Sequence, residues 1–449
     1  MAEWFDADEH VDRAHEHYEA GRWAEAEKLL RQALERHPER AEWHFNLGVT
    51  LEAAGRYREA AGAFEQVHKL NPDDVQPVVS MGINLLRADE PARARDVLLK
   101  AQKLDPQRGE AFIHAIEAHA MCGEYDAAEL AFYRALQLDA DHALAYANMG
   151  EAMIDREQWA KAESCLREAL KLDDALPRVA ARLAYALWRR GNTDEARKMF
   201  RRELRTSPGD VETMMEFGAL LADTGRGAHA AYMFRRVVEV EPRNVDAHFA
   251  LGKLHEERSR IDPALRRYRR VLRLDPTHAD AAIRSARLML STARREPAVR
   301  LLERQAKRVS KKPPLLTIEQ HRDLSLALLD AGLNRRAASV LGSLRNRTPE
   351  DAQAWHHFGV ACFRCGLMRL GESASRRAVR LDPGLAPAWH NLTVAYLADR
   401  RWLRARACLR RAAAISPGEP AIKKLGRIMR FRWVVQLGIR LRSILGMRA

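Results

Sequence analysis

The sequence predicts an all-α fold: a right-handed superhelical solenoid built from antiparallel helix pairs. Three observations carry that prediction. Prolines recur every 34 residues along most of the chain. Small and large apolar residues recur in fixed columns of the same period. The composition, dominated by Ala, Arg, Leu and Glu and 47% hydrophobic, favours helix and leaves ample apolar surface to bury.

The period sets the domain organisation. Pro38, Pro72 and Pro106 are 34 residues apart, as are Pro208, Pro242 and Pro276, and Pro349, Pro383 and Pro417. The gap of 102 from Pro106 to Pro208 is three periods, and the gap of 73 from Pro276 to Pro349 is two periods plus five. The chain therefore divides into a leader (1–6), nine units (7–312), a register slip (313–317), three units (318–419) and a C-terminal segment (420–449). The slip, within KKPPLLT, reads as a hinge or simply as a longer loop.

Each element follows from its column. The stretch GRYREAAGAFEQVHKLNP, residues 55–72, reads as a turn, an amphipathic helix and a stop. Position 8 of a unit is Gly in six units (Gly48, Gly82, Gly150, Gly218, Gly252, Gly359), and Ile116 is its exception. Position 20 is Ala in eleven units, with Gly371 in the other. Position 24 is large and apolar, as in Phe64, Phe132, Phe200, Phe234 and Tyr268, and Ser375 departs from it. Small residues let two helices of a unit approach, and the large one fills the space beside the crossing. Gly near position 15 (Gly21, Gly55, Gly123, Gly191, Gly225, Gly366) ends the first helix in a left-handed turn. Proline at position 32 stops the second helix, because it has no N–H to continue the ladder.

This pattern resembles the tetratricopeptide repeat family, a helix–turn–helix of 34 residues, over residues 7–419. Below, the two helices of a unit are called A and B. The first unit, with only Ala14 and His17 in the core columns of its helix A, and the ninth, where Ser310 replaces the proline, depart most from the pattern. The resemblance implies a concave groove lined by the A helices, holding an extended peptide or a helix of a partner.

Charge indicates what that groove would take. Helical phase exposes positions 2, 5, 6, 9, 12 and 13 of helix A, which hold nineteen acids and nine bases, a net −10 in a chain of net +14. The remaining positions must then carry +24. An acidic groove, represented by Glu42, Glu110, Glu117, Glu151, Asp155 and Glu216, prefers basic or neutral protein segments over nucleic acid. The plainer reading is an ordinary solvated face. Position 6 also holds Asn46, Asn148 and Asn391, similar in placement to the asparagine ladder of the repeat segment of O-linked N-acetylglucosamine transferases. Amides that both donate and accept suit a peptide backbone. The ladder is broken by His114, Arg182, Arg284 and others, and no catalytic domain accompanies it. The clamp that related repeats use for chaperone C-termini is absent, since Phe45 and Val49 occupy its rungs in unit two.

No motif calls for catalysis, a cofactor or a metal. Cys362 and Cys365 share a helix face near His357 and His390, but Cys362 falls in a core column and no second Cys-x-x-Cys exists. HEHYE at 15–19 lacks the zincin spacing, and no phosphate loop or nucleophile elbow is present. The odd count of five cysteines, the acidic N-terminus without an apolar core, and the lack of an 18-residue apolar run suit a cytoplasmic protein without a membrane span. The C-terminal segment, PAIKKLGRIMRFRWVVQLGIRLRSILGMRA, carries eight bases and no acid. Ile422, Leu425 and Met429 suit a cap on unit twelve. Lys423, Lys424, Arg427, Arg432, Trp433, Arg440 and Arg442 suit docking on a membrane surface or an acidic partner, or a return onto the acidic groove.

The sequence thus predicts a non-catalytic scaffold or adaptor that binds another protein in its groove. The alternative is a peripheral membrane adaptor held by the basic C-terminal helix. Nucleic-acid binding by the Arg-rich convex side has neither aromatic interleaving nor a recognised module behind it.

Overall fold

The computed structural model describes residues 2–138, 141–309 and 316–429, which form helices and, among the described residues, no strand. Every unit contributes one helix A and one helix B. Unit two has Ala41–Ala53 and Tyr57–Leu70, unit eight Val245–Glu257 and Ile261–Leu274, and unit twelve Ala386–Ala398 and Trp402–Ile415. By compactness the chain divides into Met1–Arg236 and Val237–Ala449.

One backbone feature repeats in all twelve units. Position 15 has positive φ at Gly21, Gly55, Gly123, Gly191, Gly225, Gly332 and Gly366, but also at Asp89, Glu157, Ser259, Ala293 and Arg400. The next N–H then reaches back to a carbonyl five residues earlier, as from Arg56 to Leu51 at 2.8 Å, Arg294 to Met289 at 2.8 Å and Arg401 to Tyr396 at 2.8 Å. That bond satisfies a carbonyl that the end of helix A would otherwise leave unpaired. Glycine makes the turn cheap, yet the packing of A on B imposes it on residues that resist it.

The crossing of the two helices explains the columns. A Cβ on Gly252 would lie 2.5 Å from the Tyr268 ring, one on Gly218 2.5 Å from Phe234, and one on Gly82 2.6 Å from Leu98. Position 8 of helix A is therefore the floor on which the large residue of position 24 lies. The eleven alanines of position 20, from Ala26 to Ala405, have no exposed surface. Unit eleven compensates for its exceptions. Ser375 is too small to fill the crossing over Gly359, and Phe363 from helix A turns onto Gly371 instead, where a Cβ would meet its ring at 2.6 Å.

Helix starts are capped locally. Asp141, Asp210, Asn244 and Asp351 each accept a first-turn N–H, and Thr317 with Gln320 forms a capping box. Beyond helix B, Asp105, Asp275 and Asp382 precede their prolines and accept N–H bonds at 2.9, 2.7 and 2.8 Å within the turn.

Helix B of one unit packs on helix A of the next, and several successive A helices also touch one another. In the first half, helix A of unit three packs on that of unit four, and the contact repeats through units five, six and seven; among the described residues of this half, no successive B helices pack to that extent. The A side is therefore the inner, more crowded side. This corrects one expectation. Position 5 is buried at Val79, Ile113, Ala181 and Ile283, and position 12 is buried at Leu86, Ala120 and Leu329. Both lie in the seam between neighbouring A helices, so positions 2, 6, 9 and 13 are the ones left facing the groove.

In the second half one buried cluster runs from Ala279 and Leu302 through Leu316 and Leu328 to Phe358 and Ala374, continuous on either side of the register slip. Residues 310–315 lie outside the described residues. After unit twelve, residues 420–429 are helical. Ile422 is buried there, and Met429 packs on the cluster of Leu392, Tyr396, Ala405 and Cys408.

Candidate functional site

The A-helix face of units four to seven is built from Gly109–Met121, His142–Asp155, Val179–Arg189 and Val211–Asp223. Its groove positions hold seven carboxylates (Glu110, Glu117, Glu151, Asp155, Glu212, Glu216, Asp223) against the three guanidiniums of Arg178, Arg182 and Arg189. These positions carry a net four negative charges.

Arg182 organises it. Its Nε lies 2.9 Å from Glu151 of the preceding unit, its Nη2 2.9 Å from Glu212 and its Nη1 3.2 Å from Glu216 of the following unit. Arg178 also pairs with Glu212. One cation of unit six thus joins three carboxylates from the two units that flank it, and the acids still outnumber it.

Burial shifts several carboxyls of this face. Glu117 is exposed to water, yet the protein around it removes enough solvent to push its carboxyl above the ordinary carboxylate range, against the pull of Arg87. Burial raises Glu151 and Asp155 in the same way, each opposed by Arg182. Glu216 is pushed up to about 7, first by burial, with Arg182 pulling down and Glu212 adding repulsion. His114, between them, is lowered by burial.

The other expected residues are less uniform. Glu110 pairs with Arg108 at 3.0 Å. Asn46 and Glu42 are exposed on unit two. Asn148 donates its amide to the carbonyl of Ile113 at 3.1 Å, so its donor already holds the neighbouring A helix. Asn391 belongs to the second compact half, where its amide lies 3.3 Å from His356 Nδ1. Burial, with His357 and His390 nearby, lowers His356 to about 4. Cys362 is buried in the core cluster, and burial pushes its thiol up to about 11. Among the described residues no group of three or more His, Cys, Asp or Glu could hold a metal. Lys423, Lys424 and Arg427 are exposed on the terminal helix, while Arg432, Trp433, Arg440 and Arg442 lie outside the described residues. No helix among the described residues is long and apolar enough to cross a membrane.

Sequence reasoning missed two roles. It counted Arg182 as one base among several and not as the centre of a network, although Glu216 stands one period beyond it. It also read Tyr268 as a filler. Its buried ring fills the crossing, and its hydroxyl donates to Glu256 at 2.5 Å, which also accepts from Arg284 at 3.2 Å.

The profile of the tetratricopeptide repeat matches residues 11–75, 79–143, 148–211 and 216–279. No curated protein matches the chain. Among solved structures, the human IFIT1 dimer with PPP-AAAA is 17% identical, over 82% of this chain and 89% of that one, with a TM-score of 0.48. Yeast Tom70 is 15% identical over 97% of each chain at 0.38, and Pseudomonas aeruginosa PilF 20% identical over 45% of this chain and 92% of that one at 0.40.

Proposed function

This chain belongs to the tetratricopeptide repeat family, and from that premise we propose that it is a non-catalytic scaffold whose acidic groove binds a basic or neutral segment of another protein. The observation that carries the reading is the carboxylate excess around Arg182, where water is already partly removed. A cation arriving there relieves repulsion between carboxylates that Arg182 alone does not neutralise, and the low local polarity strengthens the attraction. Asn46, Asn148 and Asn391 would add backbone contacts through amide groups, Asn148 through its oxygen and the N–H not given to Ile113.

The test uses fluorescein-labelled peptides of one length in basic, neutral and acidic versions, read by anisotropy. The basic peptide is expected to bind, to weaken with added salt, and to lose about tenfold in affinity, some 1.4 kcal/mol, when Glu110→Gln, Glu117→Gln, Glu151→Gln and Asp155→Asn are combined. Equal affinity for the acidic peptide, or no loss in the variant, would overturn the reading.

A further inference from the structure

The turns joining A to B in units ten, eleven and twelve form a continuous edge. Arg295, in the turn of unit nine, donates to the carbonyl of Ala331 in the turn of unit ten at 3.0 Å. Arg364 in unit eleven donates to the Leu329 carbonyl of unit ten at 2.9 Å, and Arg401 in the turn of unit twelve lies 3.4 Å from Glu372 of unit eleven. Successive turns therefore lie side by side.

This edge presents four aliphatic side chains to water. Leu403 is 85% exposed, the largest value for a large apolar side chain among the described residues, and Leu367, Met368 and Leu370 are 50%, 38% and 42% exposed. They stand among Arg335, Arg336, Arg369, Arg400 and Arg404, which are exposed and have no carboxylate partner among the described residues. Of the acids at the edge, Glu372 is engaged by Arg376 and Arg401 and Asp399 by Arg401 at 3.0 Å; Asp330, at the end of helix A of unit ten, is exposed, and the five arginines outnumber it.

The terminal helix leads to the same edge. Helix B of unit twelve starts at the edge with Trp402 and ends at Ile415, and a four-residue link then reverses the chain into 420–429. Ile422 takes the buried third position of a further helix A, and Met429 reaches the cluster that contains Tyr396 and Ala405. The chain thus heads back toward the turns, and the segment that follows, RFRWVVQLGIRLRSILGMRA, contains five arginines and no acid.

We propose that the turn edge of units ten to twelve docks on an anionic lipid surface, with Leu367, Met368, Leu370 and Leu403 entering the interface and the unpaired arginines meeting the headgroups. The proposal does not rest on the groove reading. Aliphatic tips on turns, ringed by guanidiniums, suit a surface that offers both acyl chains and negative charge. A second copy of the chain would bring arginine against arginine across a two-fold contact. The C-terminal segment, basic throughout, would meet the same repulsion if it folded over the edge.

The test is co-sedimentation of the full chain with vesicles of phosphatidylcholine alone, or of phosphatidylcholine with about 30% phosphatidylglycerol. The wild type is expected to bind the anionic vesicles only. Replacing Leu367, Met368, Leu370 and Leu403 by Ser should weaken binding about fivefold or more, and Arg335, Arg336, Arg369 and Arg404→Gln about tenfold. Arg266, Arg269 and Arg273→Gln, exposed on helix B of unit eight, should leave it unchanged. Circular dichroism confirms that the variants are folded. No binding by the wild type, equal binding to both vesicles, an equal loss in the unit-eight control, or full binding by both edge variants would each overturn the proposal. So would sedimentation velocity showing that the Ser variant splits a dimer while wild-type vesicle binding is absent.

Discussion

Arg182 and Glu216 stand one repeat apart in sequence and 3.2 Å apart in space, at the same position of successive A helices. The pair links two neighbouring units through a carboxylate whose proton affinity burial has raised to about 7.

Stability should depend on pH through Glu216. In the unfolded chain it ionises near 4.5, and in the folded chain near 7. Between those values the folded state holds a proton that the unfolded state has lost, so this contribution is present below the lower value and is lost as pH rises through the upper one. Glu216→Gln, which stays neutral, is expected to raise the melting temperature relative to wild type at about pH 8 and not near pH 4.5. A variant no more stable than wild type at the higher pH would place the raised affinity elsewhere.

Adding one methyl group should have opposite effects at two glycines. Gly218→Ala drives a Cβ to 2.5 Å from Phe234 and is expected to cost about 1–3 kcal/mol. Gly62, exposed within helix B of unit two, has nothing within 4 Å, and Gly62→Ala should stabilise by about 0.5–1 kcal/mol. Urea midpoints read both.

Ala293 has φ 59 in the turn of unit nine, where seven other units use glycine. Ala293→Gly is expected to stabilise by about 0.5–1 kcal/mol, because relief of the left-handed strain exceeds the added freedom of the unfolded chain. The same change at Ala160, exposed within helix B of unit five, should destabilise by about 1 kcal/mol. Thermal denaturation of the two variants separates the effects.

Tyr268→Phe keeps the ring over Gly252 and removes the hydroxyl that Glu256 accepts. A loss of about 1–2 kcal/mol is expected, with the helical spectrum unchanged. A neutral result would mean that Arg284 alone satisfies Glu256.

The period was legible because each unit must meet its neighbours in the same way, so Gly252 and Tyr268 recur as Gly218 and Phe234. The turn was legible only where glycine marked it. Asp89, Glu157, Ser259, Ala293 and Arg400 adopt the same conformation without any sign in their type, since tertiary packing sets φ there. Positions 5 and 12 were misplaced because the phase of one helix cannot show that its neighbour of the next unit covers it, as at Val79 and Ile113. The role of Arg182 was hidden for a related reason: a count of charges does not record which ones touch.

A turn of the same backbone conformation in every unit makes the chain editable by heredity. A genetic deletion of residues 56–89 would bring Gly55 directly to Glu90, which occupies the place of Arg56 after an identical turn. Helix A of unit two would then meet helix B of unit three, with Gly48 under Leu98 in place of Gly82. Unequal recombination could therefore lengthen or shorten this lineage by whole repeats, and each descendant would inherit a seam that already fits.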